Sequence, residues 1–362
     1  MKALLMKLFE GLKVVELAAV LAGPAVGTFF AEGGASVIKV ENATTGGDMT
    51  RKWFTHGENR EGVSAYFSSV NYGKEEYLML NYNKEKDLRR VYDLISKADI
   101  VISNFSASAA DRFGLDFASL RNVNPHIISA ELTGFPNSDR PAFDVVLQAE
   151  TGFISMTGSD QKAPAKLPVA LIDVLAAHQL KEGVLTALWQ SAKGDTRAKR
   201  IRVSLYEAAL ASLVNVASNF LMAGHVAKPI GTKHPNIAPY GDILETADGG
   251  KVVLAVGTQK HFANLCGVLE RTDLTEDRRF SSNALRVQNR DALMEQLREA
   301  AKTLKRDDLM DKLLARKVPA GAVKTVDEVL TTPEARKLIL RDTIEDADTS
   351  RLRGNVFHIS TK

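Results

Sequence analysis

The sequence predicts an α/β protein with two parts: a large Rossmann-like domain built on an open parallel sheet, and a smaller α+β domain. Three observations predict it. Short apolar runs alternate with helical patterns from residue 12 to residue 132. The length of 362 residues exceeds what one core ordinarily serves. A stretch rich in Gly, Pro, His and Asn at 224–239 separates two patterns of composition.

The elements follow in order. Residues 12–18 read as a short strand, apolar on both faces. Ala22-Gly23-Pro24 breaks it, and the small residues of 25–32 form a helix closed by Gly33-Gly34. Residues 35–41 make a second strand. Strand, helix and strand within about 30 residues are a βαβ unit with parallel strands and a right-handed crossover. Further strands are expected at 77–80, 100–102, 127–132 and 201–204. The helix at 87–97 places Leu88, Val91, Tyr92, Leu94 and Ile95 on one face. Long helices are expected at 174–189 and 206–222.

In the smaller part, Asp248-Gly249-Gly250 marks a tight turn between strands at 242–245 and 252–256. Helices follow at 291–303 and 307–315. The tail carries Pro319 and Gly321, a helix at 326–338, and strand-like residues to the end. The expected organisation is a large Rossmann-like domain at 1–223 to which 321–362 returns, a linker at 224–239, and a small α+β domain at 240–320.

Composition excludes several classes. The chain is 45% hydrophobic and 25% charged, ordinary for a soluble domain. A net charge of +3 gives no footing for nucleic acid. The basic run 197–202 reads as a solvated turn entering a strand. One cysteine, Cys266, rules out an internal disulfide framework and reads as a small buried filler. Residues 1–9 are too short for a secretory signal, and no apolar run reaches the roughly 20 residues a membrane helix needs. The expectation is a cytoplasmic protein without a membrane partner.

Motif chemistry narrows the field further. No G-x-G-x-x-G follows the first strand, and there is no P-loop or G-x-S-x-G elbow. The seven histidines are scattered, so no metal site is expected. Asp173 stands out as a lone carboxylate in the apolar run 167–177. It reads either as an N-cap of the helix beginning at 174 or as a carboxylate nucleophile able to form acyl intermediates.

Several blocks together decide the matter. They are 9–17, Ala22-Gly23-Pro24, 37–41, Gly47-Asp48-Met49-Thr50-Arg51, Asn71-Tyr72-Gly73-Lys74, 98–105, Arg112-Phe113-Gly114-Leu115, 143–149, Thr151-Gly152-Phe153, His234-Pro235-Asn236 and Pro239-Tyr240. In this order and spacing they resemble the family III CoA-transferases, the group of formyl-CoA and carnitine CoA-transferases, whose fold α-methylacyl-CoA racemase shares. The resemblance runs over nearly the whole chain and is weakest after about residue 320. It implies that Asp173 is the nucleophile, that acyl-CoA is a substrate with no further cofactor, and that a small carboxylic acid is the partner. It also implies an interlocked-ring homodimer.

For CoA contacts the resemblance points to Val20, Leu21 and Ala22 after the first strand, and to Lys39, Asn42 and Leu80 at the ends of the next two. Asn104 and Phe105 follow the fourth strand, and Arg112 is placed to clamp a phosphate. Leu21 stands where many family members carry Gln, and Asn42 where many carry Arg; Lys39 or Lys74 would supply charge instead. The racemases pair an Asp with a preceding His. Here Phe143 precedes Asp144 and carries no proton, and His178 lies on the wrong face, so transfer is favoured over racemisation and over a silent CoA-binding role. Without a glycine-rich loop of the formyl-CoA transferase kind, oxalate and formate are not favoured. A small organic acid or dicarboxylate, with acetyl- or succinyl-CoA, is expected.

Overall fold

The computed structural model describes residues 7–360, so residues 1–6 of the N-terminal segment weighed above lie outside it. The first unit runs up to Ser155, continues through Lys166–Ala227 and resumes at Lys337. Its elements begin β1 (Lys13–Glu16), α1 (Ala22–Glu32), β2 (Ser36–Asn42), α2 (Ala65–Asn71), β3 (Glu76–Leu80), α3 (Glu85–Ile95) and β4 (Ile100–Ser103). They continue α4 (Ala107–Phe113), α5 (Phe117–Val123), β5 (Ile128–Thr133), α6 (Asp144–Glu150), α7 (Phe153–Met156), α8 (Leu171–Ala192), β6 (Lys199–Ser204), α9 (Leu205–Ala211) and α10 (Val214–Ala223).

The six strands form one sheet in the order β3-β2-β1-β4-β5-β6, parallel throughout. From β1 the chain builds outward to β3, then returns to lay β4 on β1's other side. The reversal between β1 and β4 opens a crevice beyond the strands' carboxyl ends, where such sheets bind ligands. The central strands are buried on both faces, which is why Val14, Val15, Ile100, Val101 and Ile102 read as unbroken apolar runs.

Two expectations are corrected. Helix α1 starts at Ala22, so Ala-Gly-Pro forms its first turn, where proline is tolerated. The helix expected at 206–222 is two, α9 and α10, bent by 68°, with Val214 at a φ of +40° at the junction. Helix α9 buries Ala208 and Ala209 within the unit and leaves Leu210 exposed. More apolar surface lies on α10, where Phe220, Leu221 and Met222 are exposed. Among the described residues no single helix is long and apolar enough to cross a membrane.

The second unit comprises Met156–Ala165 and Lys228–Arg336. It contains β7 (Tyr240–Glu245), β8 (Lys251–Ala255), α11 (Gln259–Val268), α12 (Asp273–Glu276), α13 (Asn283–Gln288), α14 (Arg290–Ala301), α15 (Arg306–Ala315), β9 (Ala320–Ala322), α16 (Val326–Leu330) and α17 (Pro333–Arg336). Strands β7, β8 and β9 form an antiparallel sheet, packed on a core that holds Phe262, Leu265, Cys266, Leu293 and Leu297. Residues 156–165 fall here because Gly158 bridges Pro164 and accepts the Gly231 amide at 2.9 Å. Residues 321–336 also stay here, since β9 pairs with β8. Helices α11, α12 and α13 lie where the sequence carries no expectation of a helix. The helix expected at 326–338 breaks before Pro333 into α16 and α17.

The returning tail forms the hairpin β10 (Ile339–Ile344) and β11 (Ala347–Leu352) in the first unit. Glu32 at the end of α1 ties it down, accepting from the Gly354 amide at 3.0 Å and the Asn355 amide at 2.8 Å, and pairing with Arg351.

Candidate active site

Strand ends build the pocket. Ala19 to Ala22 follow β1, Asn104 follows β4, Leu132 to Gly134 close β5, and Leu205 follows β6. With Ala142, Phe143 and Asp173 they line a cavity of about 110 Å³. Strands β1, β4, β5 and β6 each contribute from the carboxyl end, and the meeting of β1 with β4 places the cavity at the sheet's switch point. The first turn of α1 opens into it, and helix first-turn amides have no partner within their own helix.

Asn104 joins the two loops that flank the crevice. Its Oδ1 accepts the Ala19 amide at 3.1 Å, and its Nδ2 donates to the Ala19 carbonyl at 2.9 Å. Val20 next to it has a φ of +74°, a conformation that a β-branched residue adopts only under constraint. Its amide is held by both carboxylate oxygens of Asp48, at 3.2 and 3.1 Å.

Asp173 is the third residue of α8 and is 8% exposed. It does not cap the helix: α8 begins two residues earlier, after Ala170, whose side chain makes no capping bond. The acceptor comes from α6. Asp144 Oδ1 takes the Ile172 amide at 2.7 Å, and Asp144 Oδ2 takes Gln148 Nε2 at 2.5 Å. Gln148 Oε1 in turn accepts the Leu167 amide at 2.8 Å, which fixes the approach to α8. Asp144 and Gln148 are one helical turn apart and so face the same way.

Among the described residues, the Asp173 carboxylate accepts no hydrogen bond. Burial, and then the neighbouring charge of Asp144, push its carboxyl up to about 7. A place in the first turn of a helix favours the ionised form by about 1 kcal/mol at most in common settings, and here desolvation wins. The result is a carboxyl facing a pocket and poised to ionise near neutrality, the kind of perturbation that marks functional sites. Tyr66 on α2 lies in the same field. Burial, then Asp173, Asp144 and Asp48, push its phenol up to about 12.

Behind the β1 loop lies a buried charged network. Glu16 Oε1 accepts from Lys39 Nζ at 2.9 Å and from Lys74 Nζ at 2.7 Å. Lys39 Nζ also donates to the Ala18 carbonyl at 2.8 Å and lies 3.3 Å from Asp48. Burial pulls the Lys39 ammonium down, but Glu16, Asp48 and Glu41 outweigh it and leave Lys39 above its ordinary value. Burial brings Lys74 down to about 7 despite Glu16. Gly27 of α1 makes the room: a Cβ there would stand 1.8 Å from Glu16 Oε2.

The site residues expected from the sequence therefore divide. Val20, Leu21, Ala22, Asn104 and Asp173 meet in one pocket. Lys39 does not reach it; its side chain is fully buried and engaged from behind, and Lys74 is in the same state. Asn42 accepts from the Thr44 amide at 3.0 Å, so its side chain closes a turn at the end of β2. Leu80, its register partner on β3, is buried in the core. Phe105 packs in an aromatic cluster, 5.9 Å from Tyr82 and 6.0 Å from Phe113. Arg112 is exposed, with its guanidinium 4.5 Å from the Phe113 ring centre. His178 is exposed on α8. Asp48, Gln148 and Tyr66 went unread as site residues because each acts across the fold. The only local trace of Asp144's role is an acidic residue in a helix's first turn, a common pattern.

An open doubly wound sheet with a buried carboxyl facing the cavity at its switch point puts the candidate site where such sheets bind their ligands. The sequence pattern of CoA-transferase family III matches residues 9–361. The chain belongs to that family and is a CoA-transferase. It is 33% identical to the succinate–glutarate CoA-transferase of Agrobacterium fabrum over 95% of this chain and 87% of the relative. It is 29% identical to the succinyl-CoA:mesaconate CoA-transferase of Haloarcula hispanica, covering 94% of this chain and 85% of that one. Among solved structures it is similar to a CaiB/BaiF family protein from Brucella suis, with a TM-score of 0.85 at 35% identity, covering 97% of this chain and 92% of that one.

Proposed function

We propose that the chain moves CoA from an acyl-CoA thioester to a carboxylic acid by covalent catalysis at Asp173. The Asp173 carboxylate attacks the thioester carbonyl. The C–S bond breaks, and a mixed anhydride and CoA thiolate result. The thiolate attacks the aspartyl carbonyl, the anhydride C–O bond breaks, and the donor acid leaves as its carboxylate. The acceptor carboxylate then attacks the aspartyl-CoA thioester, and the released thiolate attacks the acceptor's acyl carbon. Acceptor-CoA leaves and Asp173 is regenerated. One thioester replaces another, so no ATP is needed, and each step is easier than direct exchange.

The observation that carries this reading is the buried carboxyl of Asp173 in the switch-point cavity, held by no hydrogen bond among the described residues and pushed up to about 7. Desolvation makes its ionised form a stronger nucleophile than a solvated carboxylate. The β1 loop and the opening of α1 stand on the same cavity, where they would lie along the thioester. Because the relatives named above use succinyl-CoA or dicarboxylates by name, the preferred pair is succinyl-CoA with a dicarboxylate acceptor. A homodimer is part of this reading, with α10's exposed Phe220, Leu221 and Met222 as a surface awaiting cover. Incubation with succinyl-CoA followed by hydroxylamine and peptide mass analysis tests the mechanism. A hydroxamate at Asp173 is the expected result, and turnover without any adduct there excludes it.

A further inference from the structure

The Asp48 carboxylate is buried, yet it makes more bonds than a turn needs. Its Oδ1 accepts the Thr50 amide at 3.0 Å and the Thr50 hydroxyl at 2.7 Å, closing its own turn. It also faces Lys39 and takes the Val20 amide on both oxygens. Its own amide donates to Glu41 Oε2 at 2.7 Å, and Glu41 is gripped from the other side by Arg51 at 2.8 and 2.6 Å. The loop that carries Asp48 is thus braced at both ends. It is entered through Gly47 at a φ of +85°, where a Cβ would strike Met79 and Glu41.

What this brace holds is a single strained residue. Val20 lines the pocket at a φ of +74°, in a region where its branched side chain is disfavoured. Leu21 and Ala22, next in the chain, open α1 onto the same cavity as Asp173. Lys39 reinforces the arrangement from beneath, bonding the Ala18 carbonyl two residues before Val20 while it faces Asp48. None of Glu16, Lys39 and Asp48 lines the cavity.

We propose that Asp48, seated on Lys39, is a positioning residue for the transfer: it forces Val20 into the left-handed conformation that sets the β1 loop and the mouth of α1 opposite Asp173. Asp48 touches no reacting atom; it acts through the Val20 backbone. The proposal rests on the reading of Asp173 as the reacting group.

Glycine adopts positive φ about as readily as negative, and this supplies the test. Asp48→Asn should lower kcat tenfold or more, with a smaller change in KM for succinyl-CoA. It should also speed amide hydrogen exchange over 18–22 while the rest of the chain keeps its protection. Adding Val20→Gly to Asp48→Asn should restore most of the lost kcat, because the loop then no longer needs to be forced. A double variant as slow as Asp48→Asn alone, with both proteins folded, overturns the proposal, as does unchanged exchange over 18–22. If Asp48→Asn does not fold, Val20→Pro takes its place: it removes the amide and fixes a negative φ while leaving the buried charges intact. A folded Val20→Pro protein with full kcat is equally fatal. The exchange measurement does not depend on which residue bonds the acyl group. A loosened loop and lost kcat in Asp48→Asn alongside an active Asp173→Ala would therefore refute the covalent reading and leave the positioning role standing.

Discussion

Asp144 caps the helix that carries Asp173: its Oδ1 accepts the Ile172 amide at 2.7 Å. The capping carboxylate of α8 is therefore supplied by α6, and Asp173, one residue further on, is left free to face the cavity. The same Asp144 charge is the second cause, after burial, that holds Asp173 in its protonated form up to about 7. One residue thus shapes both the position and the proton affinity of the other.

Removing the carboxyl should end the chemistry and spare the fold. Asp173→Ala and Asp173→Asn are expected to lose CoA exchange between succinyl-CoA and a dicarboxylate by at least about a thousandfold, the scale on which nucleophile deletions act. Retained turnover in a folded Asp173→Ala protein sinks the mechanism.

Stability should respond to pH in a defined direction. The folded state binds the Asp173 proton more tightly than the unfolded chain does, so its contribution is complete at acid pH and is lost as pH rises from 3.8 through about 7. Asp173→Asn removes that loss. Urea denaturation should show the variant gaining on the native chain by a few kcal/mol at pH 8, on the order expected for a carboxyl moved this far, and by little at pH 3.5. An equal difference at both pH values contradicts the assignment.

Activity should rise with pH on the same group. The nucleophile must be ionised, so kcat/KM is expected to climb through a limb near 7. Asp144→Asn keeps an acceptor for the Ile172 amide and deletes the charge. It should move that limb to lower pH, though only part of the way to an ordinary carboxylate, because burial is the larger cause. A limb that stays put assigns it to another group.

The pocket should not racemise its substrate. Phe143 lines the cavity at 46% exposure and can neither give nor take a proton. In deuterated water a 2-methylacyl-CoA should gain no enzyme-dependent label at its α-carbon, as read by mass spectrometry. Rapid labelling there would point to a racemase.

Gly27 should tolerate no side chain. Its missing Cβ leaves the space that Glu16 occupies beneath the β1 loop. Gly27→Ala is expected to destabilise the chain by about 1–3 kcal/mol, the usual cost of overpacking a filled core. The midpoint of denaturant unfolding reads it, and an unshifted midpoint would show that Glu16 can move aside.

The alternation of apolar runs and helical patterns was enough to place all six parallel strands to within about two residues: the central strands β1 and β4 are apolar because both faces are buried, while the edge strands β3 and β6 alternate more buried and exposed residues. The same logic found β7 and β8 from a turn signal and the apolar runs beside it. It missed the short helices α2, α4, α5 and α6 and, in the second unit, α11, α12 and α13, and it joined α9 to α10, since a bend at Val214 leaves no mark on the composition of its flanks.

The chain's own sequence determined its fold class, its family and the standing of Asp173 as the residue to watch, because those rest on local pattern and on motif order. Only the tertiary structure decided how the site is built. Lys39 had the right charge and the right strand for a phosphate contact, yet it is buried against Glu16 and Asp48, since a lysine's reach lets it turn inward wherever carboxylates await it. Asp173 had the right residue type for a helix cap, yet Asp144 from another helix took that place. Hydrogen bonds between residues 28 positions apart, as for Asp48 with Val20 and Asp144 with Ile172, depend on how the chain folds back on itself, and no window of neighbouring residues records that.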